Sequence, residues 1–326
     1  PGSYLIPIAE GLKTKYKADL LENEDNKRID LIKDTSIKYI LNLIKNDLKL
    51  LNIEMDVYSS EKKLVQDLSV QKTIKELENK NLVYFGSLPT PKSINDDWEP
   101  KEQTLFKAKL FGDDEDRTII KSDGSLTYFA SDIAYHRDKL IRTKGTLINI
   151  WGADHSGYIK RMTSAVKALT DLDNQLEIKV CQMVNLLKDS KPIKMSKRSG
   201  NFITLKDIIN EVGGDAIRFI MLTRKSDQIL DFDFNKVTEK TKDNPVFYVQ
   251  YAYARINSLL RAINLSLFYQ IELNESSINF NDMELKIIRK VFEWPKIIES
   301  TSRQFDLHKI PFYLYELSTL FHAYWS

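Results

Sequence analysis

Between residues 117 and 197 the chain alternates two apolar patterns, and this alternation limits its possible folds more than any other feature. "RTIIKSDGSLTYF" (117–129) reads as a hairpin turned at Asp123-Gly124, "SDIAYHRDKLI" (131–141) as a helix, and "TLINIWG" (146–152) as a buried strand. "HSGYIKRMTSAVKAL" (155–169) is helical again, and "LEIKVCQMVNLL" (176–187) is another strand. Strands separated by helical crossovers run parallel, so the pattern predicts an α/β fold with a doubly wound sheet. Ligands of such sheets bind at the carboxyl ends of the strands. Two polar clusters fall there, "GADH" (152–155) and "KMSK" (194–197).

The flanks extend this plan. "RIDLIKDTSIKYILNLIKNDLKLL" (28–51) spaces Ile37, Ile40, Leu41, Ile44 and Leu48 as one face of a long amphipathic helix. "NIEMDVYSSEKKLVQDL" (52–68) predicts a short strand and then a helix capped by Ser59 or Ser60. The prolines of 84–104 predict an irregular excursion. Thr204 and Asp207 have capping-box spacing, Gly213-Gly214 ends that helix, and Asp215 is positioned to cap the next. After residue 236 strand signals fade, which divides the chain into an α/β domain at 1–236 and a helical domain at 237–326. The helical part holds 16 of the 34 aromatic residues but balances 10 Lys+Arg against 10 Asp+Glu, so an RNA-binding role there can be argued only from local patches or stacking and not from bulk charge.

A single cysteine, Cys181, rules out an internal disulfide framework and fits a reducing compartment. The longest apolar runs, such as "AIRFIML" (216–222), are far too short to span a bilayer, so a cytoplasmic location without membrane contact is expected. The acidic "GDDEDR" (112–117) lacks calcium-loop spacing and reads as a solvated turn without a metal. There is no Walker A loop, no zinc pattern and no Ser/His/Asp order that would suggest a hydrolase.

"KMSKRSGNFITL" (194–205) resembles the KMSKS signature of class I aminoacyl-tRNA synthetases. Preceding and following it, "TYFASDIAYHRDK", "NIWGADHSGYIKRM", "QMVNLL", "GGDAIRF" and "NPVFYVQYAYARI" look, in that order, like arginyl-tRNA synthetase. A lone KMSK is weak; six ordered blocks across the chain are specific. The resemblance implies a Rossmann-like catalytic domain followed by an all-α anticodon-binding domain. It also implies ATP-dependent ligation of L-arginine to tRNA(Arg) through arginyl-adenylate, with Mg2+ on the ATP phosphates and no dedicated protein metal site.

The family's HIGH signature has no counterpart, because none of His136, His155, His308 and His322 lies in an H-x-G-H sequence. The chain therefore reads as a fragment cut at both ends. By itself it is expected to be inactive and prone to self-association, whereas the full-length protein is expected to be a monomer.

The resemblance assigns roles residue by residue. Lys194 and Lys197 would supply positive charge where it develops on departing pyrophosphate, with Ser196 bonding near the phosphates. Gly152, Asp154, His155 and Met195 would border ATP, Asp154 at the ribose. Tyr128 and Asp132 of the Y-x-x-x-D block, with His155 beside them, would hold substrate arginine, since a guanidinium asks for a carboxylate. Local roles compete for two of these positions: Asp132 as the N-cap of the helix it opens, and His155 as a cap at its own helix start. Phe247, Tyr251 and Ala254 share a face and read as core, so no anticodon-reading side chain is assigned. A class I synthetase of another specificity and a tRNA-binding module without activity remain as rivals.

Overall fold

The computed structural model describes residues 2, 4–17, 20, 25–89, 101–193, 203–263 and 279–325. The chain forms two compact units, one built from residues 1–55 and 184–326 and the other from 56–183.

The first unit opens with α1 (Leu5–Tyr16), which buries Ile8 and Leu12, and α2 (Asp25–Leu50). The expected amphipathic helix forms at α2, but none of its residues is buried. Ile37 and Ile44 stand well exposed, so their spacing records helicity without a core contact.

The 56–183 unit starts without the strand expected from 52–58. Ser60 caps α3 (Glu61–Gln66) by accepting from the Lys63 amide at 3.3 Å. Helix α4 (Ser69–Asn79) buries Val70, Thr73, Ile74 and Leu77, a face repeating at three and four residues. The excursion at 84–104 is framed by strands: β1 (Val83–Gly86), β2 (Gln103–Phe106) and β3 (Arg117–Ile120) make an antiparallel sheet, with residues 90–100 outside the described set. The turn at Asp123-Gly124 is present, with Gly124 at φ +80°, but its return strand shrinks to one bridge between Ile120 and Leu126. The reason is that Thr127 already begins α5 (Tyr128–Arg142), accepting from the Ala130 amide.

Strand β4 (Leu147–Gly152) and strand β5 (Leu176–Cys181) pair in parallel, connected by a 3-10 turn (Ala153–Tyr158) and α6 (Ile159–Thr170). This is the expected crossover. β4 is not buried on both faces, however: Leu147 and Asn149 point inward while Ile148 and Ile150 are exposed. The core gathers Phe106, Ile119 and Phe129 with Ile133, Met162 and Val166. Each fully buried side chain contributes about 1.5–3 kcal/mol relative to exposure. Lys80 closes the end of α6 by donating to the carbonyls of Ala168 (2.9 Å) and Leu169 (3.1 Å) and to Asp171 (2.8 Å).

The single strand expected at 176–187 is two, because β6 (Val184–Lys188) leaves β5 and enters the other unit. There it pairs antiparallel with β7 (Lys191–Pro192), through a turn whose Asp189 and Ser190 both have positive φ. The expected capping box starts α7 (Leu205–Val212), and Gly213, at φ +84°, ends it. α8 (Gly214–Met221) takes Gly213 as its N-cap, so Asp215 lies in the first turn rather than at the cap. β8 (Leu230–Asp233) runs parallel to β6 and leads into α9 (Phe234–Thr238). Ile208, Ile217, Phe232, Phe234, Val237 and Val246 form the core here.

The described residues beyond Asn244 form the helices α10 (Pro245–Ala262), α11 (Asp282–Phe292), α12 (Trp294–Gln304) and α13 (Lys309–Tyr324). Asn244 caps α10 and Pro245 opens it. Tyr251 stacks on His322 of α13 at 5.2 Å and so meets a neighbouring helix, but the face is not core: Tyr251 is 46% exposed, Ala254 is exposed, and the buried residues of α10 are Val246 and Ala252. The architecture is thus α/β with parallel strand pairs, followed by an all-α region. No described helix is long and apolar enough to cross a membrane.

Candidate functional site

Five sequence-selected positions of the 56–183 unit lie on two short stretches of backbone. Tyr128 opens α5 and Asp132 follows one turn later on the same face. Gly152 ends β4, and Asp154 and His155 occupy the 3-10 turn beyond it, at the carboxyl end of the strand. Lys194, Met195, Ser196 and Lys197 lie outside the described residues.

Asp132 is not the helix cap, since Thr127 performs that task. Its side chain is half-buried and accepts a 2.9 Å hydrogen bond at Oδ2 from the Tyr158 hydroxyl. Burial pushes its carboxyl above the usual aspartate range and Glu61 adds to this, while the Tyr158 bond, Lys139 and His155 oppose the rise. Tyr128, by contrast, is 85% exposed. A half-buried acid with an exposed ring one turn before it can receive a cation and cover it.

Beneath Asp132 lies a buried polar chain. His136 Nδ1 is 2.7 Å from the Asp132 carbonyl, and its Nε2 is 2.7 Å from the Asn149 side-chain nitrogen. An amide nitrogen only donates, so Nε2 accepts and Nδ1 carries the proton, donating to the carbonyl. Lys139 donates to the Asn149 oxygen at 3.1 Å. Burial, with Lys139 nearby, lowers the His136 pKa from 6.5 to about 4, so the ring is neutral near pH 7.

At the strand end, Gly152 permits a close approach: a Cβ there would meet Asp154 Oδ1 at 2.5 Å. Asp154 and His155 are largely exposed and 3.6 Å apart. The turn they occupy has no side-chain cap, so His155 does not cap a helix. Both remain available to a ligand.

A cavity of about 410 Å³ is bordered by Arg117, Thr127, Tyr128, Phe129, Tyr158 and Arg161. The acidic run beside it is not a plain solvated turn. Asp113 is buried and accepts two bonds from Arg117, at 2.7 and 2.8 Å. Burial alone would raise the Asp113 carboxyl, but the Arg117 bonds and the Asp114 amide outweigh it and hold it low. No described group of three His, Cys, Asp or Glu residues could hold a metal.

Sequence reasoning missed Tyr158, His136 and Asn149. Each reads locally as an ordinary helix or strand residue; only folding carries Tyr158 across the 26 positions to Asp132.

Comparison with known proteins narrows the family. Residues 12–260 match the model described as tRNA synthetases class I (R), catalytic domain, and residues 249–326 match the DALR anticodon binding domain. An arginine--tRNA ligase of Pelagibacter ubique is 50% identical over 329 residues, covering all of this chain and 56% of the relative. One from Paracoccus denitrificans is 46% identical over 334 residues, covering all of this chain and 57% of the relative. The chain thus spans a little over half the length of these curated relatives. A solved Campylobacter jejuni structure assigned to the arginyl-tRNA synthetases superposes with TM-score 0.83 at 32% identity, covering 99% of this chain and 67% of that one. A Thermus thermophilus arginyl-tRNA synthetase gives 0.67 at 16% identity, covering 94% and 60%, a likeness of fold alone. The chain belongs to the class I tRNA synthetases (R), the arginyl-tRNA synthetase family, and joins residues of their catalytic domain to a DALR anticodon-binding domain.

Proposed function

We propose that the protein carrying this chain activates L-arginine with ATP and transfers the arginyl group to tRNA(Arg). The observation that carries this reading is the half-buried Asp132 carboxylate, one turn from exposed Tyr128, in a chain 50% identical along its whole length to an arginine--tRNA ligase. A guanidinium stays charged at any working pH and presents a planar fork of donors, so a carboxylate is its natural partner.

The chemistry needs no enzyme nucleophile, because the carboxylate of arginine attacks the α-phosphate of ATP and pyrophosphate leaves. The protein supplies position and charge. In this reading Asp132 and Tyr128 hold the guanidinium with His155 beside them. Gly152, Asp154, His155 and Met195 border the nucleotide, Gly152 by leaving room and Asp154 by accepting from a ribose hydroxyl. Lys194 and Lys197 stabilise the pyrophosphate with Ser196 beside it, and Mg2+ enters only with the phosphates of ATP. Residues 1–236 do this chemistry and 237–326 contact the tRNA. The balanced charge of the helical part suits recognition by ring stacking more than by phosphate attraction. A cytoplasmic monomer is the expected form.

The test is ATP–pyrophosphate exchange by the full-length protein against the twenty amino acids, with and without tRNA(Arg). Exchange supported by arginine alone among them is expected. Preference for another amino acid would move the protein to a different specificity, and tRNA binding without exchange would leave a binding module.

A further inference from the structure

We infer that Tyr158 is a positioning residue for amino-acid selection, holding one oxygen of Asp132 so that the other is presented to the substrate cation. The inference deepens the arginine reading and rests on it.

Tyr158 is the one described residue that donates to the Asp132 carboxylate, through a 2.9 Å bond to Oδ2. Among the described residues none donates to Oδ1. The phenol is itself well fixed: Phe129 meets its ring edge-on at 6.1 Å, Trp151 lies at 5.9 Å, and the Arg161 guanidinium sits over it at 4.8 Å. Its backbone lies where the 3-10 turn passes into α6, which leaves it little freedom. From below, His136 holds the carbonyl of Asp132 at 2.7 Å. Asp132 is thus restrained at the main chain and at one carboxylate oxygen.

This restraint matters because the terminal torsion of an aspartate is broad, and a carboxylate free to turn must be ordered when ligand binds. A donor on Oδ2 removes that cost beforehand and favours the charged form. The charged groups around Asp132 come from three elements: Glu61 on α3, Lys139 on α5 itself, and His155 on the turn after β4. Glu61 works against the carboxylate, and Lys139 and His155 only partly offset burial. The phenol is the neutral group that favours ionisation.

Tyr158→Phe in the full-length protein is the test, because it keeps the ring and deletes only the hydroxyl. Arginine KM in pyrophosphate exchange should rise about fivefold to tenfold, the usual effect of losing one hydrogen bond. The KM for ATP and the melting temperature should hardly change. The acid-side rise in arginine KM should also begin at a higher pH than in the wild type, since losing the phenol lifts the Asp132 carboxyl further. Leu77→Val, a core change in the same unit on α4 that leaves the groups around the phenol in place, measures a purely structural effect. Unchanged arginine KM and pH limb in Tyr158→Phe would overturn the inference, as would an equal arginine KM increase in Leu77→Val. Wild-type protein that fails to use arginine at all would instead overturn the activity reading, and this one with it.

Discussion

Under α5 of the 56–183 unit, His136, Asn149 and the Asp132 carbonyl are withdrawn from water and bonded to one another at 2.7 Å contacts. The helical run α10–α13 is held differently. None of the α11 side chains is buried, and the helices meet through rings: Tyr248 and His322 at 4.5 Å, Trp294 and Tyr313 at 5.0 Å. A buried polar group costs free energy unless its partners stand at fixed distances, so a bonded chain tolerates one geometry. Ring contacts are broad in angle and survive small slips. The first arrangement holds Asp132 to one position, whereas the second lets helix shift slightly on helix.

The strongest way to break this contrast is to remove one end of the Asp113–Arg117 pair. Asp113→Ala leaves the guanidinium without its main partner and should destabilise the 56–183 unit by about 3 kcal/mol or more, read by urea denaturation. A loss as small as a surface substitution would deny that unit its dependence on fixed polar partners.

Acid should separate the two regions next. His136 has a folded pKa of about 4, below the unfolded 6.5, so the folded unit binds fewer protons between those values. Its stabilising contribution is complete above pH 6.5 and is lost as pH falls toward 4. The change is on the order of 3 kcal/mol. Hydrogen exchange at pH 7 and pH 5 should show amides of β4 and α5 losing protection, with α13 as the reference. Equal protection of β4 at both values would contradict the neutral, buried ring.

Asp132→Asn sharpens the comparison from the functional side. It should raise arginine KM by at least tenfold in the full-length protein, about 1.5–3 kcal/mol, with KM for ATP nearly constant. An unchanged arginine KM would remove Asp132 from the substrate. The helical run has a polar device of a different kind, a cap at the start of α11. Asn281 accepts from the Met283 and Glu284 amides at 2.9 Å, and Glu284 returns a bond to the Asn281 amide. Asn281→Ala should cost about 1 kcal/mol and act on α11 alone, seen as fraying of its first turn by hydrogen exchange.

What could be read without a structure was whatever is set by neighbours in the chain. The Thr204/Asp207 box, the Ser60 cap, the turn at Gly124 and the β4–α6–β5 crossover follow from spacing and side-chain chemistry over a few residues, and each appears. Tyr128, Asp132, Gly152, Asp154 and His155 are legible as candidates because they lie in short blocks at element ends. Local signals also misled. The helix start fell to Thr127, since its hydroxyl bonds the Ala130 amide and Asp132 is already inside the helix. The apolar run at 176–187 divided because β5 pairs with β4 while β6 pairs with β8, a choice of partner that hydrophobicity does not encode. The stripe on α2 formed a helix without a buried face. Only the tertiary structure could bring Tyr158 to Asp132, Asn149 to His136 and Lys80 to the end of α6, because those contacts join residues 13 to 91 positions apart. Sequence fixes which side chains can donate, accept or carry charge, and the packing of helix on sheet decides which of them share a hydrogen-bond distance.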